Sequence, residues 1–150
     1  MVTDSALPVG EKTGLLRTKG TKLSDLLIDC GCTTTMVSKV SKLSRITSNA
    51  PNRSVRIANG VVIKASHAGE IDVPVMARYK YKSNKTVRRA TTMTLTDVLV
   101  VPGLAADLFS CDAAYHNDGI ETHLNGIRKL VLPDGGEVDF ADGTDRRYIV

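Results

Sequence analysis

Short apolar runs separated by turn residues set the pattern of this chain. Gly14–Thr18 and Leu23–Asp29 read as strands, and the second ends Leu26-Leu27-Ile28 on a carboxylate. Ser54–Ala58 alternates, Asn59-Gly60 is a two-residue hairpin signal, and Val61–Ala65 pairs back. Gly69–Val75 is a further strand, interrupted at Pro74. Arg78–Lys82 alternates cations with Tyr79 and Tyr81, and Ser83-Asn84-Lys85 turns it back. Thr94–Val101 is a β-branched run that predicts a central strand buried on both faces. Ile120–Leu124, Ile127–Leu132 and Glu137–Phe140 are short strands, with turns at Asn125-Gly126 and Asp134-Gly135.

Helical spacing is rarer. Val37–Leu43 predicts one short helix. Ala105–Asn117 predicts the main one, with Leu108, Cys111, Ala114 and Tyr115 on one face and Gly119 as its stop. Many short strands with close turns predict a mostly-β barrel or sandwich with one helix of consequence, in the C-terminal half. Residues 1–14 read as a flexible leader and 15–150 as a single domain.

Composition narrows this picture. Aromatic residues are 4% and Trp is absent, so the core must be aliphatic. Three cysteines form no readable disulfide framework, which favours a reducing, cytoplasmic setting. No basic and apolar N-terminal signal and no membrane-length apolar run is present. The net charge of +4 hides an asymmetry: residues 1–90 hold 16 Lys/Arg against 6 Asp/Glu, and residues 91–150 hold 4 against 10. Two faces of one fold, or subunits that attract head to tail, account for this. A nucleic-acid footprint is the alternative.

The chemistry concentrates at Asp29-Cys30-Gly31-Cys32-Thr33. A carboxylate at the end of an apolar strand, at the mouth of a glycine turn, is held rigidly in a cleft. Aspartic proteases need two such carboxylates sharing a proton. One copy is present, so an enzyme needs two chains. The plainer reading is that Asp29 caps a strand-to-turn transition. Asp134-Gly135-Gly136 follows Pro133 into a strand and is explained by a hairpin turn. Cys30 and Cys32 lack the second close pair that structural zinc requires, so no metal and no cofactor is expected. The stretch from Arg78 to Arg89 holds basic residues and no acids. It predicts a solvated hairpin with its tyrosines on the core, or a weak RNA contact.

Four segments occur in a telling order: Leu27-Ile28-Asp29-Cys30-Gly31-Cys32-Thr33, Ile57-Ala58-Asn59-Gly60, Asp97-Val98-Leu99-Val100-Val101-Pro102-Gly103-Leu104, and Asp107-Leu108-Phe109-Ser110. Together they resemble the protease region of copia-type retrotransposon polyproteins, over roughly residues 15–150, and Arg147–Val150 resembles its closing strand. The resemblance implies a retropepsin-like closed β-barrel working as a homodimer on polyprotein peptides, in the cytoplasm within virus-like particles. It implies Asp29 as catalytic residue and Cys30, Gly31, Cys32 and Thr33 as the supporting loop. His67, Ala68 and Gly69 take the place of the flap over the substrate. Val101 and Gly103 take the place of a buried segment behind the loop. Cys30 replaces the family's Ser or Thr, Cys32 its Ala, Thr35 its His, and His67 a flap glycine. A catalytically inactive, domesticated domain serving dimerisation or peptide binding, and a basic RNA-binding β-domain, are the alternatives.

Overall fold

The computed structural model describes residues 2–5, 14–16, 26–29, 31–57, 60–125 and 128–142, with backbone alone at 2–5, 14–16 and 141–142. In chain order the strands are β1 (Val2–Ser5), β2 (Gly14–Leu16), β3 (Leu26–Asp29), β4 (Met36–Val37), β5 (Arg45–Ser48), β6 (Arg53–Arg56), β7 (Val62–Lys64), β8 (His67–Lys80), β9 (Thr86–Val100) and β10 (Leu108–Ser110). Helix α1 (Cys111–Asp118) follows, then β11 (Glu121–His123), β12 (Lys129–Val131), β13 (Glu137–Asp139) and β14 (Ala141–Asp142). The fold is mostly β, with one α-helix among the described residues. Its main sheet curls into a half-barrel in the order β11-β12-β13-β8-β9-β4-β10-β3-β2-β14, and β5 pairs separately with β8. A small second sheet, β1-β6-β7, lies apart from that path.

Four strands at the centre explain the continuous apolar runs. β10 pairs parallel with β3 and antiparallel with β4, and β4 pairs parallel with β9. Their side chains alternate between two cores. Leu26, Ile28, Val37, Val98, Val100 and Phe109 enter the larger one. Leu27, Met36, Leu99, Val101 and Leu108 enter the smaller one, with Cys32, Val55 and the half-buried Ile57 and Ile63. A strand buried on both faces has no polar face to alternate with, so its sequence reads as unbroken Val, Leu and Ile.

β8 and β9 form one long hairpin. β8 runs through Pro74, which pairs with Thr92. The outer edge of β8 meets β5 at residues 68–70 and β13 at Arg78. Pro74 lies between those contacts, on an edge where its missing N–H breaks no ladder. On β9 the register advances from Leu95↔Ile71 to Val98↔Gly69, so β9 carries one extra residue. Asp97 absorbs it with φ 52°. This bulge re-aims the end of β9, after which Val98, Leu99 and Val100 are all buried.

Three hairpins close alike. The Ile57 N–H donates to Val61 O and the Gly60 N–H to Ile57 O, both at 2.9 Å. Tyr81 N–H to Lys85 O (3.0 Å) with Asn84 N–H to Tyr81 O (2.9 Å) repeats this, as does Leu132 N–H to Gly136 O (2.8 Å) with Gly135 N–H to Leu132 O (2.9 Å). Gly60, Asn84 and Gly135 carry the positive φ, at 85°, 60° and 89°. These are three-residue loops, so the two-residue turn expected at Asn59-Gly60 is corrected. Residues 58 and 59 themselves lie outside the described residues.

Other expectations shift. Val37–Leu43 holds only a single 3₁₀ turn, Val40–Lys42. The helix begins six residues later than the Ala105 expected, because Leu108–Ser110 are drawn into the β3–β10–β4 ladder. Tyr115, placed on the buried face, is 57% exposed. Val2–Ser5 are not a loose leader but pair parallel with β6, and Gly14 belongs to β2. The expected closing strand Arg147–Val150 lies outside the described residues.

An ion cluster joins β5 to β8. Arg45 Nη1 and Nη2 donate to Asp72 Oδ2 and Oδ1 at 2.7 Å, and its Nε donates to Glu70 Oε1 at 2.8 Å. The guanidinium, with the Thr94 hydroxyl, lowers the Asp72 carboxyl from 3.8 to about 2. A folded value below the unfolded one means that ionised Asp72 favours the fold above the unfolded value, and that this contribution fades as pH falls toward the folded one. We expect the urea midpoint to fall between about pH 5 and about pH 2, and less steeply in Asp72→Asn. Equal slopes in the two proteins would contradict this.

Candidate active site

Asp29 ends β3 and is 1% exposed. Strand alternation puts it on the face of Leu27, which packs into the smaller core. Val55 of β6 and Ile63 of β7 pack into that same core. The Gly31 N–H donates to Asp29 Oδ1 at 3.0 Å, and the Cys32 N–H reaches Asp29 O at 3.4 Å. The backbone therefore turns back under the carboxylate. Thr33 is exposed on the loop, and Cys30 lies outside the described residues.

The loop is fastened from behind by hydroxyls. Ser110 Oγ donates to Cys32 O at 2.6 Å and accepts from the Ala113 N–H at 3.0 Å, so one atom both caps α1 and holds the loop. The Ser110 N–H donates to Thr35 Oγ1 at 3.1 Å, and Thr35 O accepts from the Leu99 N–H at 3.0 Å. Cys32 is buried, and its Sγ donates to Thr34 O at 2.7 Å. Ser110→Ala removes a helix cap and a buried hydrogen bond together. We expect about 2 kcal/mol of destabilisation in urea unfolding. A loss below about 0.5 kcal/mol would show that neither bond matters to the fold.

Three residues around the loop carried no signal as site residues in the sequence. Asp107 is buried, its Oδ2 ion-paired to Lys42 Nζ at 2.8 Å and its Oδ1 accepting the Ser38 N–H at 2.9 Å. Arg53 of β6 donates through Nη1 to Asp97 Oδ1 at 2.6 Å and through Nη2 to Thr34 Oγ1 at 3.1 Å. It ties the base of the β6–β7 hairpin to the β9 bulge and to the Asp29 loop. Ser110 fell inside the helix expected from Ala105, so its role as the cap of α1 was not legible. Asp107, Arg53 and Asp97 look in sequence like any loop or strand charge.

Two expected placements are corrected. His67, Ala68 and Gly69 are not a flap. They pair with Val100, Leu99 and Val98 of β9, and Ala68 and Gly69 also pair with β5. A segment bonded on both edges cannot lift. Val101 is buried, and its N–H donates to Val37 O at 2.8 Å, but Gly103 is exposed in a left-handed turn, φ 83°. The segment lying beside β3 is Leu108–Ser110.

Asp29 and Asp107 are the buried carboxylates among the described residues. Asp107 is committed to Lys42. Among the described residues no three His, Cys, Asp or Glu side chains gather as metal ligands.

Residues 26–120 match the protein family described as "Pol polyprotein, beta-barrel domain". The match spans the Asp29 loop, the β6–β7 hairpin, the long β8–β9 hairpin and the β10–α1 junction. No curated protein and no solved structure matches the chain.

Proposed function

This chain belongs to the Pol polyprotein β-barrel domain family, and from that premise we propose that it is the aspartic endopeptidase of a copia-type retroelement polyprotein, acting as a homodimer. One observation carries the reading: a buried strand delivers Asp29 to a turn whose Gly31 N–H holds Oδ1 at 3.0 Å, and the neighbouring Leu27 shares its core with Val55 and Ile63 of the β6–β7 hairpin. Two such loops meeting on a two-fold axis would bring both Asp29 carboxylates together. Like charges at short range cannot both ionise, so the pair keeps one proton. The ionised member takes a proton from water. The protonated member polarises the scissile carbonyl and then helps protonate the leaving amine. The Gly31 N–H fixes the carboxylate's orientation through both steps. An extended peptide would lie under β6–β7, held mainly by main-chain hydrogen bonds. Val61 and Val62, which are exposed on that hairpin, suit apolar side chains of the substrate. The setting proposed is the cytoplasm, within the element's particles.

The test is cleavage of extended, partly apolar peptides from mildly acidic to neutral pH. Specific activity should rise with protein concentration, because each chain brings half a site. A pepstatin-like inhibitor should bind and block cleavage. If the protein cuts no peptide and binds no inhibitor, the proposal fails.

A second reading rests on the burial of Asp29. A carboxylate that is 1% exposed and capped by Gly31 also serves as a structural turn residue in an inactive, peptide-binding domain. Cys30→Ser with Cys32→Ala restores the active-site loop of the resembling proteases. Activity that arises only in this double variant supports the second reading, and equal activity before and after rules it out.

A further inference from the structure

We propose that the free end of the β8–β9 hairpin, from Lys80 to Ala90, is a docking arm for single-stranded nucleic acid. This is independent of proteolysis. Residues 81–90 are all exposed, whereas Tyr79 just below them is buried. At the strand rise, the exposed part of β9 alone reaches roughly 15 Å past the core. The arm is well formed out to its tip, where the Tyr81 N–H donates to Lys85 O and Asn84 takes the left-handed position.

The arm carries Lys80, Lys82, Lys85, Arg88 and Arg89, and no acidic residue occurs between Asp72 and Asp97. Lys80, Lys82, Lys85 and Arg88 form no ion pair among the described residues. Arg89 lies over the Tyr79 ring at 4.4 Å. Arg78, at the base, is by contrast neutralised by Glu137 and Asp139. The expectation that both tyrosines face the core therefore holds for one. Tyr79 does so and donates its hydroxyl to Asp134 at 2.8 Å. Tyr81 is on the same face by alternation but stands past the end of the core, 50% exposed. Val87 is exposed on that face as well. The arm thus presents an aromatic face and an apolar neighbour among cations, of which Lys80 and Arg89 feel Glu137 and Asp134 at its base while Lys82, Lys85 and Arg88 face no carboxylate among the described residues. That is the chemistry that stacks a base while holding its phosphates.

An acidic surface on a second copy of this chain is a poorer fit. From Asp97 to Asp139 every described carboxylate already has a partner within its own chain. Asp97 has Arg53, Asp107 has Lys42, Asp112 has His116, Asp118 has Thr96, Glu121 has His123, Asp134 has Tyr79, Glu137 has Lys129, and Asp139 has Arg78. Asp97, Asp107, Glu137 and Asp139 are neutralised by Lys or Arg of the same chain, which leaves a smaller acidic surface for the arm to meet on a second copy.

The probe is a labelled oligouridine of about 20 nucleotides. Fluorescence anisotropy follows its binding to the whole chain across a salt series, with circular dichroism confirming the fold of each variant. Binding should weaken steeply with salt. The triple variant Lys80→Ala, Lys82→Ala and Lys85→Ala should flatten the plot of log K against log salt by about 2. Tyr81→Ala should weaken binding roughly 5- to 100-fold at every salt and leave the slope unchanged. No binding at about 50 mM salt overturns the proposal, as does an unchanged slope in the triple variant. Wild-type affinity in Tyr81→Ala overturns it too, since a plain polyanion contact would not use the ring. Binding to phosphatidylserine vesicles, but not to oligouridine, would likewise overturn it.

Discussion

Asp29→Asn is expected to abolish peptide cleavage and leave the protein folded. The substitution is nearly isosteric, and an amide oxygen can still accept the Gly31 N–H that now reaches Oδ1 at 3.0 Å. The burial of Leu26, Leu27 and Ile28, which positions the residue, is untouched. What disappears is the ability to take and return a proton. In a dimer both halves of the dyad lose it at once. The loss in kcat/KM should be at least about 10³-fold, the scale of a missing general acid–base group. The melting temperature should move little. A mixing experiment adds a sharper outcome. An excess of Asp29→Asn chains added to wild type should depress activity beyond simple dilution, because each mixed dimer holds a single carboxylate. Wild-type cleavage by the variant would remove Asp29 from the mechanism. Activity that is lost only because the protein unfolds would favour the structural-cap reading.

What was legible in the sequence, and what was not, divides along physical lines. The strand ending at Asp29 and the turn at Gly31 were readable because both depend on local chemistry: an apolar run, then a residue without a Cβ. Hairpins at Gly60, Asn84 and Gly135 were readable for the same reason, although loop length depends on the pairing on either side. The start of α1 was not. Leu108, Phe109 and Ser110 have helical spacing to Cys111 and Ala114, yet the parallel ladder with β3 decides their backbone. Position alone cannot tell a buried segment that starts a helix from one that completes a sheet. His67-Ala68-Gly69 was assigned to the flap by resemblance alone, which carries no account of its strand partners here. Two neighbouring strands make it one of the better-tied stretches of the sheet. Asp107 and Arg53 were invisible because their roles lie in partners such as Lys42, Asp97 and Thr34, far along the chain.

Gly69→Ala is expected to cost on the order of 3–4 kcal/mol, as overpacking against backbone with no relief by rotamer change. A Cβ at this position would lie 2.0 Å from Arg45 O, 2.7 Å from Leu43 Cδ1 and 3.1 Å from Arg45 C. Leu43 can turn aside, but the Arg45 carbonyl belongs to β5 and cannot move alone. Relief requires β5 to part from β8. That strains the Ser44 N–H to Glu70 O bond at 2.8 Å and the Arg45–Asp72 pair beside it. Domains of this size have roughly 5–15 kcal/mol of stability, so the variant should show a much lower urea midpoint. Gly103→Ala is the control. Its Cβ meets nothing within 4 Å, and only the left-handed backbone at φ 83° opposes it, a penalty of about 1 kcal/mol. The ordering separates two roles for Gly69. A flap hinge would change KM and spare the melting temperature, whereas a glycine that lets two strands close on each other lowers the melting temperature before substrate is ever bound. Wild-type stability with an altered KM in Gly69→Ala would return His67–Gly69 to the flap and displace β6–β7 from that place.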